Sequence, residues 1–332
     1  MQFGQLKRRE FITLLGGTAA AWPLVAHGQQ MTTALGFLSS RSPLESASVV
    51  TAFREGLNGT GFANGQNLSI EFRWAEGQYD RLPSLATELV QRQVAAIAAT
   101  GDAVSALAAK AATTTIPIIF VIGGDPVRFG LVASINRPGG NITGVSLISS
   151  GLGAKRLGLL HELIPNAAVI ALLLNPSNPN AGPEREDVQQ AGETLGKKIV
   201  VLNVSSDGDF ETAFAALVKQ HAGGLLVATD PFLLSRRDQL VALAERYAIP
   251  TMYQFREFAT AGGLMSYGTN ITGAYRQAGE YVGRILKGEK AVQDLPVFQQ
   301  TKLELIINLR TAKALGLNIP TNLLVFADEV TE

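Results

Sequence analysis

The chain has 332 residues, of which 46% are hydrophobic and 17% charged, a composition typical of a globular protein with room for two domains. Its 28 basic and 28 acidic residues cancel, which argues against the strongly basic surface of nucleic-acid or membrane-surface binding. There is no cysteine, which excludes disulfides, thiolate metal sites, a cysteine nucleophile and a lipid anchor on cysteine.

Residues 1–28 have the pattern of an export signal. A basic run at 7–9 precedes an apolar stretch at 12–26, and Ala26 and Gly28 are small residues that frame a cleavage position. The segment Arg-Arg-Glu-Phe-Ile within this region is similar to the twin-arginine signal. An ordinary secretory signal or a short membrane anchor is the alternative, although the stretch is short for a bilayer. We expect an exported protein that is cleaved near Gly28.

From residue 32 onward, apolar strand patterns alternate with helical patterns, which is typical of an α/β protein with parallel sheets. The first series consists of a strand at Thr33–Ser39, a helix at Ala47–Leu57, a strand at Asn67–Trp74, a helix at Asp80–Gln91, a strand at Val94–Ala99, a helix at Val104–Ala112 and a strand at Pro117–Ile122. Each strand ends in short polar or glycine-rich residues.

The pattern then restarts. The second series consists of strands at Ala168–Leu174, Ile199–Val204, Gly224–Ala228, Pro250–Tyr253 and Gly263–Ser266, with helices at Glu184–Leu195, Phe210–Lys219, Leu234–Tyr247 and Gly273–Leu286. We expect two doubly wound, Rossmann-like lobes joined by a multi-strand hinge. The N-terminal lobe would span 32–145 with about 268–297 returning to it, and the C-terminal lobe 146–267 with about 298–328.

Catalytic and cofactor motifs are missing from the sequence. The three histidines, His27, His161 and His221, lack the spacing of a metal site. No Gly-x-Ser-x-Gly elbow, phosphate-binding loop or dinucleotide-binding fingerprint is present. We therefore expect no enzyme activity, no cofactor and no metal.

Short polar residues stand at the carboxyl ends of predicted strands, where parallel sheets bind ligands. They are Ser39, Ser40, Thr100, Gly101, Asp102 and Asp125 in the first series, and Asn175, Ser177, Thr229 and Asp230 in the second. Taken singly, each is more simply a helix N-cap. Together around one cleft they favour a small-solute site, in which hydroxyls hold a carboxylate and an aspartate holds an ammonium.

Phe232, Tyr253 and Tyr267 follow or end strands of the second series and could form an apolar wall, although a core position is the ordinary alternative. The predicted ligand-binding residues are Ser39, Ser40, Thr100, Gly101, Asp125, Asn175, Asp230, Phe232 and Tyr253.

Six segments carry a resemblance to a known family. They are Gly36-Phe37-Leu38-Ser39-Ser40, Arg73-Trp74-Ala75-Glu76-Gly77, Gly124-Asp125-Pro126-Val127, Arg137-Pro138-Gly139-Gly140-Asn141-Ile142-Thr143-Gly144, Gly262-Gly263-Leu264-Met265-Ser266-Tyr267-Gly268 and Leu315-Gly316-Leu317-Asn318-Ile319-Pro320. From about Leu35 to the C-terminus, the chain resembles the periplasmic substrate-binding proteins of ABC importers, in the branch that binds tryptophan and other aromatic amino acids.

That resemblance implies a type I periplasmic-binding fold that closes around a small solute. It implies that the Ser39-Ser40 turn, the Thr100 turn and Asp230 contact the ligand. It also implies a monomer in the periplasm whose partners are the permease and ATPase subunits in the inner membrane, with no role for nucleic acid. A sensory or scaffold receptor of the same fold and, less favoured, a periplasmic α/β enzyme remain alternatives.

Overall fold

The computed structural model describes residues 32–332, in which strands and helices alternate as the sequence predicts. The strands are β1 (Thr33–Ser39), β2 (Leu68–Trp74), β3 (Ala96–Thr100), β4 (Ile118–Ile122), β5 (Ile142–Ser146), β6 (Val169–Leu174), β7 (Lys198–Asn203), β8 (Gly224–Val227), β9 (Thr251–Tyr253), β10 (Met265–Thr269), β11 (Phe298–Gln299), β12 (Leu303–Asn308) and β13 (Glu329–Thr331).

The helices run from α1 to α12 over the same part of the chain. They are α1 (Ala47–Gly59), α2 (Leu82–Gln91), α3 (Ala103–Ala112), α4 (Gly153–Leu163), α5 (Ala181–Thr194), α6 (Asp209–Lys219), α7 (Pro231–Ser235), α8 (Arg237–Arg246), α9 (Arg256–Thr260), α10 (Ile271–Leu286), α11 (Leu309–Ala314) and α12 (Thr321–Phe326). The helix expected at Leu234–Tyr247 is divided into α7 and α8 at Arg236. The predicted export signal lies outside the described residues.

The first sheet has the order β11-β5-β4-β3-β1-β2, and its strands are parallel. Strands β3, β4 and β5 are buried along their whole length. Helices cover both faces of such a sheet, which explains why a strand such as Ile118–Ile122 is an unbroken apolar run rather than an alternating one.

The second sheet has the order β13-β12-β10-β9-β8-β6-β7. Its pairs are parallel except for β10 and β12, which are antiparallel. The two predominantly parallel sheets agree with the predicted fold class, and this antiparallel pair lies near the edge of the second sheet. Strand β10 ends where the chain leaves for the first sheet and β12 begins where the chain returns, so the two run in opposite directions.

Within 32–332 the chain passes between the two sheets three times, after β5, after β10 and after β11. These crossings contact one another. The backbone N–H of Gln300 donates to the carbonyl of Ser146 at 2.9 Å, and the hydroxyls of Ser149 and Thr269 lie 3.4 Å apart. Three adjacent crossings form the multi-strand connection expected of a hinge.

Helix α10 returns from the second sheet and packs closely on α1 of the first. The approach is so close that a Cβ at Gly56 would lie 2.0 Å from the carbonyl oxygen of Arg276, and one at Gly279 would lie 2.1 Å from that of Phe53. Backbone atoms cannot yield as a flexible side chain can, so glycine is required at this contact.

We expect Gly56→Ala to lower the free energy of unfolding by about 1–3 kcal/mol, because the added methyl group forces α1 and α10 apart. Chemical denaturation measures the effect. Gly59→Ala is the matched control on the same helix, since no atom lies within 4 Å of a Cβ at that position. Equal stability of the two variants would contradict the prediction.

None of the helices within residues 32–332 is long and apolar enough to cross a membrane.

Candidate functional site

Two buried aspartates, one from each sheet, lie at the centre of the cleft. Asp102 follows β3 and caps α3, since its carboxylate accepts a hydrogen bond from the backbone N–H of Ala103 at 2.7 Å. Asp230 follows β8 and caps α7, accepting from the N–H of Leu233 at 2.9 Å. Each residue is only 2% exposed. The strand–turn–helix connection therefore places a carboxylate at the carboxyl edge of each sheet.

Side-chain donors from across the cleft bind these carboxylates. The Asn178 amide donates to Asp102 and to Asp230, at 2.7 Å in each case. The amide of Asn180 donates to both oxygens of Asp102 at 3.1 Å, and the Tyr79 hydroxyl donates to Asp230 at 3.2 Å. Asn178 and Asn180 follow β6 in the second sheet, whereas Tyr79 follows β2 in the first. The bonds of the two asparagines to Asp102 and of Tyr79 to Asp230 therefore link the lobes, while the Asn178–Asp230 bond lies within the second lobe.

Neither aspartate forms an ion pair with any residue of the described chain, 32–332. Burial raises the pKa of Asp102, and burial raises the pKa of Asp230 to about 6, although the hydrogen bonds from Asn178 lower both. A buried carboxylate without a cation is costly. The pair therefore has the chemistry to bind a small cation such as an ammonium group.

The cavity beside these carboxylates is small. It has a volume of about 10 Å³, which is space for one water molecule. Its lining residues are Arg41, Gly101, Asp102, Val121, Gly123, Leu147, Thr229, Asp230, Pro231, Phe255, Ile271 and Tyr275. A groove of about 550 Å³ flanks it on the side of Gly124 and Asn180, and one of about 230 Å³ on the side of Ser40 and Arg236. A solute larger than water therefore requires the lobes to separate.

A buried ion pair between Arg156 and Glu184 lies next to the turn that carries Asp230. Arg156 on α4 is 0% exposed, and its guanidinium donates to Glu184 at 3.0 Å, to the Thr229 hydroxyl at 3.1 Å and to the carbonyls of Ser149 and Tyr267. The other carboxylate oxygen of Glu184 accepts from the backbone N–H of Thr229 at 3.0 Å.

Burial raises the pKa of Glu184 to about 7, against the lowering effect of Arg156. Because Thr229 directly precedes Asp230, this network fixes the turn that presents the Asp230 carboxylate. It also ties that turn to the crossing segments at Ser149 and Tyr267.

Five of the residues predicted from the sequence lie at the cleft together with Asp230. Ser39, Ser40 and Thr100 are buried at the ends of β1 and β3, and the Asn175 amide donates to Asp230 at 3.3 Å. Gly101 lines the cavity at a φ of +98°, and a Cβ there would lie 2.2 Å from the Ser40 hydroxyl oxygen. Glycine is therefore required where the turns after β1 and β3 meet.

The other three predicted residues lie outside the central cavity. Asp125 is exposed in the larger groove and accepts from the N–H of Val127 at 2.8 Å. Phe232 borders the smaller groove and stacks on Phe210 at 5.7 Å. Tyr253 is buried against Phe258 with their ring centroids 4.5 Å apart. Their contact with ligand stays a prediction.

Several residues at the cleft were not among the predicted ligand-binding residues. They are Arg41, Tyr79, Asp102, Asn178, Asn180, Arg156 and Glu184. The sequence carries a signal for the two asparagines, because Asn-Pro-Ser-Asn-Pro-Asn follows β6 directly and two prolines restrict that turn. Arg156 and Glu184 carry no such signal, since each stands in an ordinary helical pattern.

Two α/β lobes that meet over a buried polar cleft and are linked by three chain crossings define a solute-binding protein of the type I periplasmic-binding fold. Residues 43–331 match the family described as ABC transporter substrate binding protein, and the chain belongs to that family. The family is one of substrate-binding proteins and not of enzymes. Among residues 32–332 there is no group of three or more acidic or histidine side chains that could hold a metal ion.

Relatives with stated ligands are similar over most of the chain. A tyrosine-binding protein of Clostridioides difficile (strain R20291) is 31% identical over 265 residues, which is 80% of this chain and 75% of that protein. A Streptococcus pneumonia ABC domain in complex with L-Trp is 23% identical, with a TM-score of 0.81 over 90% of this chain and 99% of that one.

An open, ligand-free substrate-binding protein with adhesive properties from Clostridium difficile is 26% identical, with a TM-score of 0.63 over 90% of this chain and 99% of that one.

Proposed function

We propose that this chain is the receptor of an ABC importer and that it binds a solute with a protonated amine, an amino acid with an aromatic side chain, between its lobes. The observation that carries the proposal is the pair of buried carboxylates, Asp102 and Asp230, which come from opposite lobes and share the amide of Asn178. The tyrosine and tryptophan in the names of the relatives support an aromatic amino acid.

Because the site takes one carboxylate from each lobe, a cationic solute gains contacts only when the lobes approach. Ligand binding then favours the closed state, and the closed shape docks on the permease. No bond in the solute is broken, and the energy for transport comes from a separate ATPase subunit. We propose that the lobes divide near residues 145, 268 and 298.

The cellular setting follows from the sequence. We propose that residues 1–28 direct export, by the twin-arginine or the general secretory route, and are removed near Gly28. The mature chain then acts in the periplasm as a monomer. Its partners are the solute and the permease with its ATPase in the inner membrane.

A thermal-shift screen of residues 29–332, unfolded and refolded to remove bound solute, tests the proposal. We expect L-tryptophan or L-tyrosine to raise the melting temperature by a few degrees, since a ligand at 100 times its Kd adds about 2.7 kcal/mol. Glucose and succinate are the controls. A shift with these two and with neither amino acid would overturn the proposal.

The affinity for an amine should depend on pH. Asp230 has a pKa of about 6 in the folded protein against an ordinary value of 3.8, so a proton competes with the ligand ammonium at low pH. We expect the affinity for L-tryptophan to fall about tenfold between pH 7.5 and pH 5, as the carboxylate becomes protonated. Calorimetry at the two pH values measures it, and a constant affinity would contradict the role of Asp230.

The raised pKa of Asp230 also affects the stability of the ligand-free protein. Because the folded pKa of Asp230 lies above the unfolded value, this group stabilises the fold fully below pH 4, and its contribution is lost as the pH rises through 6. The ligand and the proton therefore stabilise the protein at opposite ends of this pH range.

A further inference from the structure

Arg41 is a buried arginine whose guanidinium has no partner in the described chain. It follows β1 and is only 6% exposed. Its side chain forms neither a hydrogen bond nor an ion pair with any residue of 32–332, and its Nε is fully buried. A buried charge is ordinarily paired, because the cost of removing it from water is large. No side-chain hydrogen bond or ion pair within 32–332 offsets this cost for Arg41.

The surroundings of Arg41 place it in the solute cleft. It lines the same cavity as Asp230, and it also borders the smaller groove. Burial and Asp230 raise the pKa of the Tyr79 hydroxyl, which donates to Asp230, and the charge of Arg41 acts in the opposite direction. The guanidinium and the Asp230 carboxylate thus both interact with Tyr79.

Glu257 is a buried carboxylate that interacts electrostatically with Arg41, but the two form no ion pair. The two side chains are more than 4 Å apart, since they form no ion pair; burial raises the pKa of Glu257, and Arg41 only partly opposes this effect. Arg237 and Arg256 lower the pKa of the same carboxylate, so its charge is shared among three arginines.

A second unpartnered donor lies beside Arg41. The hydroxyl of Ser40 is fully buried and makes no hydrogen bond within 32–332. It lies beside Gly101, because a Cβ at that position would be 2.2 Å from the Ser40 hydroxyl oxygen. Gly101 itself lines the cavity. A guanidinium and a hydroxyl that both lack acceptors offer an anion several hydrogen bonds, and a carboxylate matches the planar guanidinium.

We propose that Arg41, with the hydroxyl of Ser40, binds the carboxylate of the solute, so that the cleft recognises a zwitterion with its ammonium at Asp102 and Asp230. This rests on the proposed function. When the lobes separate far enough to admit the solute, its remainder faces the apolar residues that line the cavity, Val121, Leu147, Phe255, Ile271 and Tyr275. This arrangement favours an α-amino acid over an amine or an organic acid, because Arg41 and the two aspartates line the same part of the cleft.

Calorimetry with two matched probes tests the carboxylate contact. L-tryptophan carries the carboxylate and tryptamine lacks it. We expect Arg41→Met to weaken L-tryptophan at least about 30-fold, as expected when one partner of a buried charge pair is removed, and to leave tryptamine within about twofold. Arg236→Met is the control, because Arg236 borders the same groove but pairs with Glu45 and Asp207. An equal loss for both probes in Arg41→Met would overturn the proposal.

A second measurement does not depend on the identity of the solute. Without ligand, Arg41→Met should melt at the same temperature as the wild type or higher, because it removes an unpaired buried charge. A lower melting temperature would show that Arg41 stabilises the fold, with Glu257 as its partner, and would overturn the proposal.

A wild type that binds neither amino acid would contradict the proposed solute class without testing Arg41. If the wild type binds neither L-tryptophan nor L-tyrosine, acetate against chloride at equal ionic strength tests the anion site alone. We then expect acetate to raise the melting temperature of the wild type and not of Arg41→Met. The same effect of acetate on both proteins would overturn the role of Arg41.

Discussion

Replacing Glu184 with leucine is expected to lower the free energy of unfolding by about 3–5 kcal/mol. The change leaves the guanidinium of Arg156 charged, fully buried and without its carboxylate. It also removes the acceptor of the Thr229 N–H. Urea denaturation of residues 29–332 measures the loss.

The double variant Arg156→Met/Glu184→Leu should recover much of this stability, because no charge is then left unpaired. Glu186→Leu on the same helix is the matched control and should be close to neutral, since Glu186 is exposed. If the single and double variants lose the same amount, the two side chains are not energetically coupled.

Replacing Asp230 with asparagine is expected to weaken the binding of an amine-bearing solute by about 2–5 kcal/mol, or from about 30-fold to a few thousandfold. Asparagine has nearly the same shape, but it has no negative charge. It caps helices as well as aspartate does, so α7 should keep its start. Calorimetry with L-tryptophan measures the loss, and denaturation confirms that the fold is intact.

Asp125→Asn provides the matched control, because Asp125 also accepts hydrogen bonds from a turn but is exposed in the larger groove. It should leave the affinity within about twofold, as expected of an exposed charge at the rim of a site. An unchanged affinity in Asp230→Asn would exclude Asp230 from the site. A large loss in Asp125→Asn would move the site toward the larger groove.

Hydrophobic periodicity was sufficient to predict the two α/β series, because buried parallel strands such as Ile118–Ile122 and amphipathic helices follow directly from burial. Ser40, Thr100 and Asp230 lie at the cleft because the carboxyl ends of parallel strands meet at one edge of a sheet. Tyr253 also ends a strand, but its ring is buried against Phe258 outside the central cavity, and its contact with ligand stays a prediction.

The rest of the site depends on how the lobes meet. Asn178 binds Asp102, 76 positions away, because the fold places the turn after β6 opposite the turn after β3. Arg41 has the sequence environment of an ordinary polar loop, and only the fold shows that it is buried. Such contacts have no local signature, because neither partner's neighbours along the chain determine them.

The two carboxylates of the cleft are also the N-caps of α3 and α7, and this double use affects how such a protein can evolve. Aspartate, asparagine and serine cap a helix almost equally well. A single substitution at either cap can therefore exchange a negative charge for a neutral amide or hydroxyl while the helix keeps its start. Under the proposed function, one mutational step can therefore change the specificity from cationic to neutral solutes, and the stability cost lies in the donors of Asn178 and Tyr79, which must then find other acceptors.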